Sequence, residues 1–282
     1  MRTLLVGASG QLGSAVKDAL TWHGHGVMME LFTPSHETLD ITNADAVGEC
    51  VLASQPTVII NCAAWTDVDG AEIYTTRAYA INSDGAWNLA SAAAAVGAWM
   101  IHVSTEYSDG PPSYVSGVYA LSKLMGERRI VEPLPKSHTI LRVSCLLSTH
   151  PNGWLANVIS KASAGKLVGV SAQVTYPTTV DTAAKAIIEL ARKPMCGPFA
   201  VADYPAVSRH ALACEALDAA RIFRDPGAPQ VIELSPSDTQ RALRRVDSRL
   251  TGPFYGERSD WRPWLKQNAP LIAERERAAA ST

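Results

Sequence analysis

The chain has 282 residues, 47% hydrophobic and 18% charged, enough for one large domain or a domain with a smaller lobe around a sizeable core. With 25 basic and 27 acidic residues the formal net charge is −2, and no Lys/Arg stripe offers a footprint for nucleic acid. The first apolar run breaks at glycine after six residues, too short for a signal peptide, and no later segment approaches a membrane span. TLLVGA (3–8) predicts a strand, QLGSAVKDALTWHG (11–24) a helix and TVIINCAA (57–64) a second clear strand. A long helix is expected over 78–97, a strand over WMIHVST (99–105), a helix over 116–133 and a strand over SHTILRVSCLL (137–147). The strand runs are continuously apolar, as strands covered on both faces are. Their alternation with helices argues for βαβ units on a parallel sheet. The expected class is therefore α/β, a Rossmann-type doubly wound parallel sheet over 1–148 with a smaller C-terminal lobe over 149–282, the two interleaved. Helices are expected in that second half over 152–166, 179–193 and 208–223. Five scattered cysteines (Cys50, Cys62, Cys145, Cys196, Cys214) form no C-x-x-C, which reads as reduced thiols in a cytoplasmic protein.

GASGQLG places Gly7, Gly10 and Gly13 after the first strand and at the mouth of the first helix. Glycine serves there for a tight turn, for close approach of a pyrophosphate and for helix–strand packing, and the helix N-terminus supplies N–H groups for phosphate. The spacing is G-x-x-G-x-x-G, and its place between strand and helix carries more weight than the trio itself. At the end of the second strand an acidic residue reads the 2′-hydroxyl of NAD, whereas an Arg accommodates the 2′-phosphate of NADP. VMMELFTPSHETLD (27–40) offers Glu30 and no Arg or Lys, a tilt towards NAD that a solvated turn residue would mimic.

Further along, Tyr119 and Lys123 stand four apart, a spacing that puts both on one helix face. Alone, that is an ordinary neighbour contact. Together with LDITN (39–43), NCAAWTDVDGAE (61–72), AINSDGAWNLA (80–90), STEY (104–107), LRVS (141–144) and PTTVDTAA (177–184), it resembles a family. The family is the extended short-chain dehydrogenase/reductases, and within them the dTDP-4-dehydrorhamnose reductase family.

The resemblance implies a reductase of nucleotide-linked 4-keto-6-deoxy sugars that uses NADPH or NADH, with the C-terminal lobe binding the sugar nucleotide. It makes Thr105, Tyr119 and Lys123 catalytic. Tyr119 would protonate a carbonyl oxygen, Lys123 would lower the phenol's pKa from roughly 10, and Thr105 would hydrogen-bond the same oxygen. Tyr107 and Tyr114 lack a lysine four residues on and are read as packing or loop contacts. Gly7, Gly10, Gln11, Leu12 and Gly13 would lie against the cofactor phosphates, Glu30 at the ribose, and Asp40 and Ile41 beside the adenine. Ala63, Ala64 and Thr66 would follow a fourth strand's edge along the cofactor, joined by Tyr119 and Lys123. Asn82 would hold the lysine through water, or else act as a buried polar or capping group. Asp69 and Glu72 are read as helix N-terminal acids. Val68, Thr105, Glu106, Tyr119 and Cys145 would meet the substrate.

Three departures accompany the resemblance. The loop before Tyr119 is short, Cys145 stands where the family has tryptophan, and Ser14, Ala15 and Val16 replace acidic residues that share magnesium at a dimer interface. The expectation is thus no metal site, a monomer or weak homodimer, and no nucleic-acid or membrane partner. Two other readings keep the fold: a nucleotide-sugar epimerase or dehydratase, and a nucleotide-binding regulatory subunit without turnover.

Overall fold

A computed structural model describes residues 1–22, 30–109, 115–166, 168–222, 231–234, 250, 253–256 and 258–280. The chain divides into two compact units, one of Met1–Val143, Ala183–Val201 and Arg249–Gly256, the other of Ser144–Thr182, Ala202–Ser248 and Glu257–Thr282. The stretch 183–201 thus belongs with the first unit rather than with the C-terminal lobe.

The first unit is built on six strands: β1 (Arg2–Val6), β2 (Glu30–Phe32), β3 (Val58–Asn61), β4 (Trp99–Thr105), β5 (His138–Val143) and β6 (Gly197–Val201). They lie in the order β6-β5-β4-β3-β1-β2, every neighbouring pair parallel. The chain moves from β1 outward to β2, then returns past β1 to β3. That reversal opens a crevice at the carboxyl ends of β1 and β3, where α/β sheets bind ligands. Among the described residues, six α-helices connect the first five strands: α1 (Gln11–Trp22), α2 (Ala44–Ser54), α3 (Val68–Ile73), α4 (Thr75–Tyr79), α5 (Gly85–Val96) and α6 (Val118–Val131). Leu4, Ile59 and Met100 from the sheet pack with Val47 and Val51 of α2 and Leu89 and Ala93 of α5 in one apolar cluster.

Several elements lay hidden in the sequence, among them α2, α3, β6 and the helix Arg262–Ala280. Asn43 caps α2, its side chain accepting from the N–H groups of Asp45 and Ala46, although Gly48 interrupts the apolar pattern. GPFAV forms β6, last in the strand order and bridged on its outer side through Ala200 to Phe254, an edge position of the kind that tolerates Pro198. The helix expected over 78–97 is three pieces: α4, a π-helical turn at Ala80–Asp84 and α5. Such single turns recur at functional sites, and this one carries Asn82.

In the second unit, the helices Trp154–Ser163, Arg209–Ala219 and Arg262–Ala280 enclose a cluster centred on fully buried Trp261, whose indole N–H donates to the Pro205 carbonyl at 2.9 Å. Short pairs complete it: Leu146–Leu147 with Thr178–Thr179, Val168–Ser171 with Val231–Leu234, and Val174–Thr175 with Val207–Ser208. Fully buried Asp203 accepts from Thr179 N–H, the Thr182 hydroxyl and Ser259 N–H, tying the PTTVDT segment in place.

Candidate active site

The glycine loop leaves β1 with Gly7 at φ +78°, a conformation that favours glycine, and a Cβ there would sit 2.5 Å from Ala63 N. A Cβ on Gly13 would lie 2.0 Å from the Gly7 carbonyl. These two glycines are required by the protein's own packing. Gly10 differs: a Cβ would meet only Gly7 O, at 3.5 Å, an ordinary contact. Glycine at 10 keeps space open beside the start of α1, the room a dinucleotide pyrophosphate needs there. Gln11 begins α1, and Leu12 is 4% exposed, its side chain inside the core.

Glu30 does not stand where a ribose reader should. It opens β2 and pairs in register with Arg2, whereas the glycine loop follows Val6. Four residues of strand, about 13 Å, separate the two levels. The carboxyl end of β2 leads into Thr33, Pro34 and Ser35, so the argument from Glu30 towards NAD falls away. Asp40 bonds its own turn through Thr42 N–H at 2.9 Å and the Thr42 hydroxyl at 2.8 Å, which lowers its pKa. Ile41 is buried and would touch a Cβ on Gly85 at 2.6 Å.

Ala63, Ala64 and Thr66 leave the carboxyl end of β3, the third strand in chain order rather than a fourth. Asn61 fixes their start by accepting from Ala63 N–H at 3.0 Å. Asn82 in the π-helical turn grips the same segment. It accepts from Trp65 N–H at 2.9 Å and donates to the Trp65 carbonyl at 3.2 Å and the Ser122 hydroxyl at 3.0 Å. Its amide is thus committed to the strand edge, the buried-polar alternative of the two. Val68 begins α3, which Asp67 caps through Gly70 N–H.

Thr105 ends β4, and Glu106 begins the 3-10 turn Glu106–Ser108; they are 6% and 4% exposed. Tyr119 is the second residue of α6, and its ring meets Tyr107 edge-on with centroids 6.2 Å apart. The start of α6 is fixed by Gly117 at φ +84° and by Glu72, whose carboxylate accepts from Val118 N–H at 2.8 Å. Glu72 therefore caps the helix that carries Tyr119 and Lys123, 46 residues away, which sequence reading does not reveal. Tyr114 lies outside the described residues.

Glu127, one turn beyond Lys123, was also missed. One carboxylate oxygen accepts from the hydroxyls of Ser104 and Ser108, both at 2.5 Å, and the other from Arg142 at 2.6 Å. Arg142 also donates to Asp109 at 2.6 Å. The segment bearing Thr105 and Glu106 is thus bolted to α6 and β5. Its sequence signal was a Glu four residues after Lys123, a spacing too common to stand out.

The electrostatics depart from expectation. Burial pushes the Tyr119 phenol up to about 12, with Tyr107 and Glu106 adding and a hydrogen bond to Thr105 opposing. Lys123, 2% exposed, donates to the Val103 carbonyl at 2.7 Å and faces His102 Nε2 at 3.3 Å. Burial lowers it to about 8 against the pull of Glu127 and Cys62. Its nitrogen is held against β4. Cys145 is 5% exposed in the second unit's apolar cluster with Leu147 and Leu155, so its thiol serves as core packing. No helix among the described residues is long and apolar enough to cross a membrane.

A parallel sheet with a glycine loop at its switch point, and a Thr–Tyr pair from the end of β4 and the start of α6 with a lysine one turn on, define a nicotinamide-dependent oxidoreductase of the short-chain dehydrogenase/reductase type. The family model described as RmlD substrate binding domain matches residues 1–267, and the chain belongs to that family. The chain is 31% identical to the dTDP-4-dehydrorhamnose reductase of Aggregatibacter actinomycetemcomitans over 87% of this chain and 98% of that protein. It is 33% identical to that of Streptomyces griseus, over 89% and 82%. The crystal structure of dTDP-4-dehydrorhamnose reductase from Bacillus anthracis in complex with NADP superposes with a TM-score of 0.79 at 26% identity, covering 94% of this chain and 97% of that one. A UDP-glucose 4-epimerase from Thermotoga maritima, 16% identical with a TM-score of 0.75 over 99% of this chain and 100% of that one, shares the fold.

Proposed function

We propose that this protein reduces the 4-keto group of a dTDP-linked 4-keto-6-deoxy sugar at the expense of NAD(P)H, in deoxysugar biosynthesis in the cytoplasm. The observation that carries the reading is the Thr105–Tyr119 pair held beside the crevice of a glycine-loop sheet, in a chain of a reductase family. Bound NAD(P)H supplies the hydride that reaches the sugar's carbonyl carbon. Gly7, Gly10 and the first turn of α1 would hold the cofactor's phosphates, and Ala63, Ala64, Thr66, Asp40 and Ile41 would line the rest of its site. Tyr119 and Thr105 take the substrate's carbonyl oxygen. A phenol held near 12 stays protonated at neutral pH, so its O–H is present to donate. It gives its proton as negative charge develops on that oxygen, while the Thr105 hydroxyl stabilises the same charge. Val68 and Glu106 complete the substrate side. Ser14, Ala15 and Val16 offer no carboxylate to a metal, so the proposal includes no magnesium-bridged dimer through that turn.

The test is direct. The protein is mixed with a dTDP-4-keto-6-deoxyhexose and each nicotinamide cofactor, and the reduced-nicotinamide absorbance is followed. Substrate-dependent decay supports the assignment; no decay with either cofactor, from a protein that binds NADPH, refutes it.

A further inference from the structure

The helix that carries Tyr119 starts without a side-chain cap of its own. The N-cap residue of α6 is Gly117, at φ +84° and ψ 153°, which has no oxygen to offer the first turn. The opening N–H groups of a helix have no partner inside it and must be met from outside. Leu121 N–H makes the first bond within α6, to the Gly117 carbonyl at 3.1 Å, and Val118 N–H donates to Glu72 Oε1 at 2.8 Å. Glu72 is the fifth of the six residues of α3, the end where a helix's own dipole disfavours a carboxylate. Against the start of α6, 14 residues long, the same carboxylate meets the favourable end of a longer helix.

We propose that Glu72 is a positioning residue for the reduction, a fixed acceptor that sets where the first turn of α6, and with it the Tyr119 phenol, stands relative to Thr105. The short helix that presents Glu72 is itself held. Asp67 caps α3 through Gly70 N–H at 2.9 Å, and a Cβ on Gly70 would lie 2.3 Å from the Asp67 carboxylate, so a side chain there would displace the cap. Trp65 Nε1 donates to the Asp67 carbonyl at 2.9 Å, and Asn82 holds Trp65 by both its N–H and its carbonyl. Glu72 thus reaches α6 from a segment tied to the carboxyl edge of β3. The next anchors of α6 come after Tyr119: Lys123 on the Val103 carbonyl, and Gly126, where a Cβ would fall 2.1 Å from the Asn82 carbonyl. Glu72 acts on the residue immediately before Tyr119. It works by reach more than by charge, since the charges that act on the Tyr119 phenol are those of Tyr107 and Glu106.

This role rests on the reductase reading, and three variants separate reach from charge. Glu72→Gln keeps the acceptor without the charge, Glu72→Asp keeps the charge one methylene short, and Glu72→Ala removes both. A misplacement of about 1 Å can cost about 10²-fold in rate. The kcat of the Asp and Ala variants should therefore fall by about 10- to 100-fold, while the Gln variant recovers most of it. Calorimetric NADPH affinity should stay within a few-fold of wild type throughout, which also shows that each variant is folded. Amide hydrogen exchange at Val118, read by NMR on the ligand-free protein, should be about tenfold faster in Asp and Ala than in wild type and Gln, as loss of one hydrogen bond to a charged group allows. Wild-type kcat in Glu72→Ala, a loss in Gln as large as in Ala, or unchanged Val118 exchange in Ala overturns the role. If Glu72→Ala loses NADPH binding, the contrast between Gln and Asp decides by the same criteria. A wild-type protein without turnover refutes the reductase reading instead, and the exchange measurement alone then decides whether Glu72 fixes the helix start.

Discussion

At the scale of single residues, the two most informative positions are Gly10 and Tyr119. Space around a Gly10 Cβ is open inside the protein, so a larger side chain should fill only the room reserved for pyrophosphate. Gly10→Leu is expected to keep the wild-type melting temperature and lose NADPH binding in a calorimetric titration; retained affinity would remove the phosphate role from this loop. Tyr119 is protonated across the physiological range, and its proton is needed only as charge develops on the substrate. Tyr119→Phe should therefore cut kcat by about 10²- to 10⁴-fold, the usual contribution of a positioned acid, with the cofactor Kd kept within a few-fold. If Tyr107→Phe has that effect instead, the edge-on pair has been assigned the wrong way round.

Among elements, α6 organises the site because it carries Tyr119, Lys123 and Glu127 on successive turns. Each turn is anchored to a different partner: Glu72 at the start, the β4 backbone and His102 in the middle, and Arg142 with the serines near the end. Glu127 and Arg142 are 4% and 15% exposed at their side chains, so their pair is screened little by solvent. Removing one partner of a buried pair leaves the other charge uncompensated, at a cost of several kcal/mol. With Asp109 still bound to Arg142, Glu127→Ala is expected to lose about 3 kcal/mol in urea unfolding. Its kcat should also fall, because Ser104 and Ser108 no longer hold Thr105 and Glu106 in place. A midpoint within experimental error of wild type would show that the clamp contributes nothing.

For the whole molecule, burying Lys123 ties folding stability to pH. Its folded pKa is about 8 against 10.5 when free. Below pH 8 it is charged in both states, and the folded state bears the full penalty of burying that charge. Between 8 and 10.5 the unfolded chain holds the extra proton, so stability rises with pH across that window. From pH 8 to 9.5 the gain is about 1.5 kcal/mol. Lys123→Met has no such proton, so the stability of wild type relative to the variant should climb by that amount over the same interval. A constant difference would place the ammonium in contact with water. Above pH 10 Tyr119 acts in the opposite sense, because its raised pKa leaves the folded state holding the proton that the unfolded state has released.

The sequence by itself determined the parallel sheet and the glycine loop. Each is a local pattern: continuous apolar runs, and glycines at fixed spacing. It also carried the family resemblance, since those motifs keep their order along the chain. Only the tertiary structure decided matters that rest on register and on partners distant in sequence. Glu30 lost its ribose role because β2 begins there and pairs with Arg2, at the wrong end of the sheet. Cys145 went to the core, because β5 ends at Val143 and the chain then enters the second unit. Glu72, Glu127 and His102 gained their roles from contacts spanning 46, 15 to 23 and 21 residues. No periodicity records such contacts. A charge on a helix face reads the same whether it meets water or caps the next helix, and only folding brings the partner that makes the difference.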